Sequence, residues 1–275
     1  MTIKMKFKSA LSISAFWFLV MGAGVGAAEP DKSVKVRVAA YNVEFGSNAS
    51  PEEIGRMFKP YDLDVIGLNE VPDGDWTARV GKVLGLQHTY VGQVSSANHK
   101  NKYKSILCRT PLEDTVEYEL RAERRRSWNP ASVIRAVTEV EGLSIALYSL
   151  HICASGKSDG HAYKLATEIL PQEITERVIL LGDFNNKIGD DAINAIEASG
   201  MRPIWQDIDI DPSGKYTYNA LDFRKNHGVI DHIFFNMPSG ACVTDGGIIE
   251  LKKPLSDHKP VWAEIVFPQL KKHAK

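Results

Sequence analysis

The sequence predicts an α/β domain built on a mixed β-sheet. Near the amino terminus, and again before residue 180, strand-like segments alternate with amphipathic helices, as they do in parallel strand pairs. Between these two regions, several strand-like segments follow one another with no helix in between, which requires antiparallel neighbours. The combination predicts a sheet that is neither purely parallel nor purely antiparallel.

Ten segments are short, rich in apolar and β-branched residues, and bounded by turn residues, as strands are. They are residues 36–43, 63–68, 88–93, 104–108, 115–120, 132–140, 143–151, 177–181, 229–235 and 261–267. The strand at 177–181 ends at Gly182, which predicts a tight turn. Asp183 and Asn185 follow two residues apart, so an extended chain would point both side chains into one space.

Helices are expected between several of these strands. Ser50 is a good N-cap, Pro51 suits the first helical position and Glu53 completes a capping box, so a helix should begin here. The other helices are expected at residues 76–84, at residues 162–169 and after Asp190. Each of them has apolar residues at helical spacing, which predicts one face buried against a sheet.

The amino terminus has the pattern of a bacterial secretory signal peptide. Three lysines precede an apolar stretch at residues 10–21, and small residues lead to a candidate cleavage site before Glu29. The stretch is shorter than the roughly 20 apolar residues that cross a bilayer comfortably. We therefore predict a signal peptide at residues 1–28 and a single domain at residues 29–275, exported to the periplasm or the medium without a membrane anchor.

Charge and cysteine content limit the classes of function. The chain has 33 basic and 34 acidic residues, and loss of the signal peptide would remove three of the lysines. This balance does not indicate a protein that binds nucleic acid by charge alone, although a bound divalent cation can offset phosphate repulsion locally. Three cysteines permit at most one intramolecular disulfide, and no Cys/His spacing typical of zinc sites occurs.

Polar residues stand at the ends of many predicted strands or in the turns beside them. Taken singly, each has an ordinary structural explanation, because Asp, Asn and His are common in turns. The residues are Asn42, Glu70, His151, Asp183, Asn185, Asp231, Asp257 and His258. Because the edge of a single sheet could gather all of them, we interpret them as one catalytic site.

The order and context of these residues resemble the endonuclease/exonuclease/phosphatase superfamily. The motifs that carry the resemblance are Tyr41-Asn42-Val43, Leu68-Asn69-Glu70, Ser149-Leu150-His151, Gly182-Asp183-Phe184-Asn185, Ile230-Asp231-His232-Ile233 and Ser256-Asp257-His258-Lys259-Pro260. The resemblance extends from about Val36 to Phe267. It implies a deoxyribonuclease I-like four-layer sandwich, in which two packed mixed β-sheets are flanked by helices.

The resemblance also implies a metal-dependent phosphoric ester hydrolase that works by in-line attack of water. Glu70 would be the main ligand of a hard divalent cation, with Asn42 and Asp257 nearby. Carboxylate and amide oxygens suit Mg²⁺ or Mn²⁺, and Ca²⁺ is a further candidate.

The same resemblance implies roles for the remaining site residues. His258 would act as general base or electrostatic partner, and Asp231 would hold its ring by accepting the other N–H group. Asp183 would orient or deprotonate the attacking water. Asn185 and His151 would donate hydrogen bonds to phosphate oxygens, and His151 is also a candidate to protonate the leaving oxygen.

Basic side chains supply candidate substrate contacts. Where the family often has Gly-Asn-Ala-Ile-Leu-Ser, with an Asn or Glu that supports the residue equivalent to His151, this chain has Tyr103-Lys104-Ser105-Ile106-Leu107-Cys108. A charged lysine cannot accept a hydrogen bond, so Lys104 is instead a candidate to bind substrate phosphate. Arg126 closes a dense basic run, for which a solvated loop and a phosphate-contacting loop are about equally expected. Arg135 follows on an adjoining strand. If the substrate is a polynucleotide, these residues should contact its backbone.

Several functions remain open on the sequence alone. The first is a metal-dependent phosphodiesterase acting on nucleic acid. His151 is typical of the deoxyribonuclease and sphingomyelinase branch of the family, and within that branch the basic run ending at Arg126 favours nucleic acid over lipid. The alternatives are a phosphatase, a sphingomyelinase-like lipid phosphodiesterase and a catalytically silent binding module. A full set of acid, base and metal residues argues against the binding module. A monomer is expected because no motif requires a partner subunit.

Overall fold

A computed structural model describes residues 33–121, 126–153, 160–222, 224–225, 228–236 and 240–268. The predicted signal peptide lies outside these residues and stays a prediction. The side chain of Arg126 is likewise outside the description. Among the helices within the described ranges, none is long and apolar enough to cross a membrane.

Twelve strands and four α-helices are formed by the described residues. The strands are β1 (Ser33–Asn42), β2 (Val65–Val71), β3 (His88–Val91), β4 (Tyr103–Cys108), β5 (Glu113–Leu120), β6 (Ala131–Val140), β7 (Leu143–His151), β8 (Arg177–Asp183), β9 (Met201–Pro203), β10 (Asp231–Asn236), β11 (Cys242–Ile248) and β12 (Val261–Pro268). The helices are α1 (Pro51–Phe58), α2 (Trp76–Leu84), α3 (His161–Lys164), which continues as a π-helix at Leu165–Ile169, and α4 (Asp191–Ala198). Short 3₁₀ turns lie at Glu44–Gly46, Lys59–Tyr61, Ser96–Asn98, Arg126–Trp128, Leu170–Gln172, Ile204–Gln206 and Pro212–Gly214.

The strands form two six-stranded sheets. Sheet A has the order β11-β12-β1-β2-β4-β3, and sheet B has the order β5-β6-β7-β8-β10-β9. Each sheet contains one parallel pair, β1 with β2 and β7 with β8, and its other neighbours are antiparallel. The prediction of mixed sheets is therefore confirmed.

Apolar residues form three layers of core. The central layer lies between the sheets and includes Val38 of sheet A and Leu181 of sheet B. Outside sheet A, Phe58 and Val80 bring α1 and α2 into a second core, and outside sheet B, Ile193 brings α4 into a third. Each fully buried aliphatic or aromatic side chain contributes about 1.5–3 kcal/mol. Helices on both outer faces of two packed sheets confirm the predicted four-layer sandwich.

Two glycines allow close approach at the centre of the sandwich. A Cβ atom on Gly67 of β2 would lie 2.6 Å from the Cβ atom of Leu181, on the facing sheet. A Cβ atom on Gly182 would lie 2.0 Å from the carbonyl oxygen of Leu150. The prediction of a turn at Gly182 is wrong, because β8 continues through this residue to Asp183. The glycine instead permits close packing of neighbouring strands beside the site.

The predicted capping box at the start of α1 is present. In α1, the Ser50 hydroxyl accepts a hydrogen bond from the Glu53 amide at 3.3 Å, and the Glu53 carboxylate accepts one from the Ser50 amide at 2.9 Å. In contrast, β9 and β11 were not predicted. β9 has only three residues, and β11 contains Gly246 and Gly247, which are depleted in strands.

Candidate active site

Three neighbouring strands of sheet B end level with one another and carry acidic or imidazole side chains. In the strand register, His151 lies opposite Asp183, and Asp183 lies opposite Asp231. All three residues are buried. Because directly opposed side chains on adjacent strands are roughly 5 Å apart at Cβ, the register alone brings these groups together.

Sheet A supplies the other half of the site. Asn42 ends β1, and the loop before β12 carries His258. Glu70 has a φ angle of 54°, and the pairing of β2 with β4 shifts at this residue. The Glu70 carboxylate lies 3.7 Å from the Nδ1 atom of His151 on sheet B. The site therefore lies where the ends of two packed sheets meet, and the expectation of a single sheet edge is corrected.

Asp231 and His258 form a buried pair. Oδ2 of Asp231 and Nδ1 of His258 are 2.8 Å apart. Burial alone would lower the pKa of His258, but the carboxylates of Asp231 and Asp183 outweigh it and raise the pKa to about 10. The two carboxylates thus favour the protonated form of the ring. Of its two predicted roles, this charge favours the electrostatic partner over the general base.

Asp183 lies at the centre of the hydrogen-bond network. Its Oδ2 atom accepts a hydrogen bond from Nδ2 of Asn42 at 3.0 Å and lies 3.5 Å from Nε2 of His151. Oδ2 also lies 3.7 Å from Nε2 of His258. The Asp183 amide donates to Oδ1 of Asn69 at 3.0 Å, which ties β8 to the facing sheet. These contacts hold the carboxylate in one orientation.

The environment of Asp183 makes it a weak acid. Burial raises its pKa, and the nearby Asp231 carboxylate raises it further, to about 7, although His258 opposes this shift. A carboxyl group with a pKa near neutral is well matched to proton exchange with water. Asp183 thus has the chemistry expected of the residue that activates the attacking water.

Asn185 reaches the site by a different geometry from the predicted one. Its φ angle is 50°, so the chain turns after Asp183 and does not continue extended. The Asn185 amide donates to Oδ1 of Asp183 at 2.9 Å, and its side-chain Nδ2 donates to the carbonyl oxygen of Ile152 at 3.0 Å. The expectation of an extended pair is wrong, because a carboxylate that bonds the amide two residues later favours a turn.

His151 is fully enclosed between the two halves of the site. Among the residues that the structure describes, no hydrogen-bond partner reaches its buried Nδ1 atom. Burial, followed by the positive charges of Lys102 and Lys104, holds its pKa well below the usual range. A neutral imidazole carries one N–H group. It can donate a hydrogen bond to a phosphate oxygen, whereas it is a poor source of a full proton.

Comparison with known sequences identifies the family. The model of the Endonuclease/Exonuclease/phosphatase family matches residues 39–258. The chain belongs to this family. The matched range contains every residue of the site described above, and the family predicted from the motifs is confirmed. Among curated proteins, none matches this sequence.

Solved structures share the fold. An endonuclease/exonuclease/phosphatase from Beutenbergia cavernae DSM 12333 is 18% identical, with a TM-score of 0.69, over 84% of this chain and 71% of that chain. A mannosyl-6-phosphatase from Bacteroides thetaiotaomicron is 19% identical, with a TM-score of 0.62, over 84% and 100% of the two chains. D. rerio TDP2 complexed with a single-strand DNA product is 14% identical, with a TM-score of 0.63, over 84% and 98%. At these identities the likeness is one of fold, and it confirms the predicted fold class.

The acids around Glu70 fit the hard divalent cation that the family implies. Burial raises the pKa of Asp257, and the carboxylates of Glu44 and Glu70 raise it further, although His258 opposes them. These carboxylates repel one another, and a cation would neutralise them. The side-chain oxygen of Asn42 accepts a hydrogen bond from the Glu44 amide at 3.0 Å. A set of carboxylate and amide oxygens suits Mg²⁺ or Mn²⁺.

A second group of donors is tighter but is already engaged. One ligand atom each from Asp183, Asp231 and His258 lie within 4.8 Å of one another. The short contact within the Asp231–His258 pair uses one atom of each residue, and the positive charge on His258 would repel a cation. The predicted ligands are also engaged, because Glu70 pairs with Lys102 and Asn42 donates to Asp183.

Two predicted substrate contacts are not brought to the site. Lys104 is fully buried, and its ammonium donates to the carbonyl oxygen of Val94 at 2.6 Å. Burial lowers the pKa of Lys104 to about 8. Arg135 forms two hydrogen bonds with the Glu173 carboxylate, at 2.8 and 2.9 Å. Both cations are held by internal partners, which corrects their predicted role in substrate binding.

The Arg135–Glu173 pair makes a prediction about stability. Burial would raise the pKa of Glu173, but hydrogen bonds from Arg135, Tyr148 and Thr175 lower it to about 2. The unfolded value is about 4.3. Because the folded pKa is the lower one, the contribution to stability is complete above that value and is lost as the pH falls towards 2. Glu173→Gln should lower the free energy of unfolding by about 1–3 kcal/mol at pH 7 and by much less at pH 2.5.

Urea unfolding at the two pH values measures this difference. Glu113→Gln is the matched control, because Glu113 is exposed at the start of β5. An equal loss at both pH values would show that the ionised form of Glu173 contributes nothing.

Four residues of the site were not predicted. Asn69 and Ser256 belong to two of the family motifs described above, and in the sequence only the neighbouring motif residues indicate that they lie in the site. The Ser256 hydroxyl donates to the carbonyl oxygen of Asn42 at 2.8 Å and accepts from the His258 amide at 3.1 Å. The Trp128 ring lies edge-on to His151, with centroids 5.2 Å apart. The ammonium of Lys102 contacts Glu70, and nothing local in the sequence distinguishes it from other lysines.

Proposed function

We propose that the protein is an exported, divalent-metal-dependent phosphoric ester hydrolase whose substrate is a phosphodiester of nucleic acid. The observation that carries the proposal is the buried cluster of Asp183 with the Asp231–His258 pair, beside the acids around Glu70. A carboxyl poised to exchange a proton, a fixed imidazolium and a cation-binding acid group are the parts that in-line hydrolysis of a phosphate ester requires.

Each residue of the cluster has a defined task in this proposal. Asp183 accepts a proton from the water that attacks phosphorus. The His258 imidazolium, held by Asp231, faces the negative charge that grows on the phosphoryl oxygens. His151 and Asn185 donate hydrogen bonds to the same oxygens. A cation bound by Glu70, Asn42 and Asp257 would act as a Lewis acid on the phosphate.

Aromatic side chains around the site support a nucleic-acid substrate. The ring of Tyr218, which is 38% exposed, lies 5.0 Å from the ring of His258, and the exposed ring of His99 is stacked on Phe45 at 4.4 Å. Bases of single-stranded nucleic acid stack on such rings at about 1–3 kcal/mol each. The fold shared with a TDP2 structure that holds a DNA product supports the same choice.

A small phosphate monoester is the second candidate. Lys104 and Arg135 bond internal partners, so two of the cations expected to contact a polynucleotide backbone are not available for it. This favours a small substrate. A small ester needs contacts only at the site itself. The similar fold of a mannosyl-6-phosphatase supports this alternative.

A direct comparison of substrates tests the proposal. Purified protein is incubated with supercoiled plasmid, a single-stranded oligonucleotide and mannose 6-phosphate, each with Mg²⁺ or Mn²⁺. We expect cleavage of DNA that stops with a chelator and in His258→Ala. Release of phosphate from the sugar alone would select the second candidate, and no hydrolysis of any ester would contradict the hydrolase. The mass of the chain recovered from the periplasm or the medium tests export.

A further inference from the structure

Lys102 forms an ion pair with Glu70, the proposed cation ligand. Its Nζ atom lies 2.9 Å from Oε1 of Glu70, and the two side chains are 20% and 9% exposed. The same ammonium lies 5.1 Å from the centre of the Phe45 ring. Lys102 thus lies between the acid group and solvent, with an aromatic face beside it.

The position of Lys102 has an electrostatic explanation. The carboxylates of Glu44 and Glu70 both act electrostatically on that of Asp257, so negative charge accumulates around Glu70. Within the described part of the chain, no other lysine or arginine forms an ion pair with a carboxylate of the site. The ammonium therefore places one positive charge beside Glu70, where a divalent cation would place two.

We propose that Lys102 holds Glu70 in the cation-free protein, and that a divalent cation displaces its ammonium, which then contacts a phosphate oxygen of the substrate. The inference rests on the proposed function, because it takes Glu70 as the cation ligand. Mg²⁺ binds oxygen at about 2.1 Å, so a cation and an ammonium on the same carboxylate oxygen would bring two positive charges close together.

The chemistry of lysine allows this exchange of partners. Its ammonium is a compact charge on a flexible four-carbon stem, and it can rotate without moving the backbone. The ammonium already lies 5.1 Å from the centre of the Phe45 ring, and a small rotation of the stem can move it away from Glu70 while it keeps this contact. A phosphate bound to the cation would present oxygens at the same mouth of the site. Lys102 is thus a positioning residue for Glu70 and then a substrate-binding residue.

Titration of Mn²⁺ by calorimetry, without substrate, tests the displacement. Lys102→Met should bind Mn²⁺ roughly threefold to tenfold more tightly than wild type, because the competing ammonium is gone. Lys259→Met is the matched control. It removes the same charge next to His258, but its ammonium pairs with Glu250 at 2.9 Å and lies 3.5 Å from the centre of the Tyr216 ring. Its Mn²⁺ affinity should change less than twofold.

Thermal unfolding separates this role from a purely structural one. Without metal, Lys102→Met should unfold at a lower temperature than wild type, because Glu70 loses its partner. With saturating Mn²⁺ the two proteins should unfold at the same temperature. Titration of inorganic phosphate into the Mn²⁺-loaded proteins should show weaker binding by Lys102→Met.

The outcomes distinguish the inference from the proposed function. Unchanged or weaker Mn²⁺ binding by Lys102→Met, equal tightening in Lys259→Met, or a temperature difference that persists with Mn²⁺ would overturn the displacement. Equal phosphate binding would overturn the transfer to substrate. A wild-type protein that binds no Mn²⁺ would overturn both the inference and the metal dependence. One that shows the expected exchange but hydrolyses no ester would overturn the proposed function alone.

Discussion

Asp231→Asn is expected to lower kcat by about 10²- to 10⁴-fold, the range observed for loss of an acid–base partner. Asparagine keeps the size of the side chain but removes the charge that lies 2.8 Å from Nδ1 of His258. The imidazolium then loses its principal stabilising charge, and the ring is no longer held in one protonation state. The measurement is the initial rate of ester hydrolysis at saturating metal and substrate.

The stability of this variant separates lost chemistry from lost folding. Asp231 is fully buried beside His258, and removal of one partner of a buried ion pair costs about 3–5 kcal/mol, so kcat is compared at a temperature where urea unfolding shows both proteins to be folded. Asp75→Asn is the control, because it makes the same chemical change at a side chain that is 79% exposed. A well-folded Asp231→Asn protein with wild-type kcat would exclude the pair from catalysis.

Glu70→Gln is expected to abolish measurable Mn²⁺ binding and to lower turnover by at least about 10³-fold. A metal ion contributes several kcal/mol to stabilisation of the transition state, and each 1.36 kcal/mol is a factor of ten in rate. Glutamine retains one oxygen, but its charge is lost and its amide nitrogen cannot bind a cation. Calorimetric titration with Mn²⁺ measures the binding, and the rate of ester hydrolysis measures the turnover.

The same variant distinguishes an enzyme from a binding module. Glu139→Gln, at an exposed position of β6, is the control for the loss of one negative charge. If Glu70→Gln binds Mn²⁺ and hydrolyses esters as wild type does, Glu70 is not the cation ligand. If neither protein hydrolyses any ester but both bind phosphate compounds equally, the silent module is favoured.

The prediction of substrate contacts shows where sequence reasoning fails. Lys104 and Lys102 are two residues apart and carry the same group, yet Lys104 is covered by the carbonyl oxygen of Val94 while Lys102 contacts Glu70. The choice depends on which loop covers each side chain. The partner of Arg135 is likewise distant in the sequence, because it is Glu173, 38 residues later. The sequence shows that a side chain is positively charged, but tertiary packing determines which group it contacts.

The sequence by itself determined the family, the mixed sheets, the capping of the first helix and most of the residues that meet in the site. Those features depend on neighbours in the chain: alternating apolar residues, a cap three residues from its partner, and acids placed at strand ends. The tertiary structure alone decided that two sheets share the site, that Lys102 pairs with Glu70, and that the pKa values of Asp183 and His258 are both raised. Asn42 and Asp183 bond across 141 residues of chain. A pKa in such a site is set by burial and by charges that no local pattern brings together.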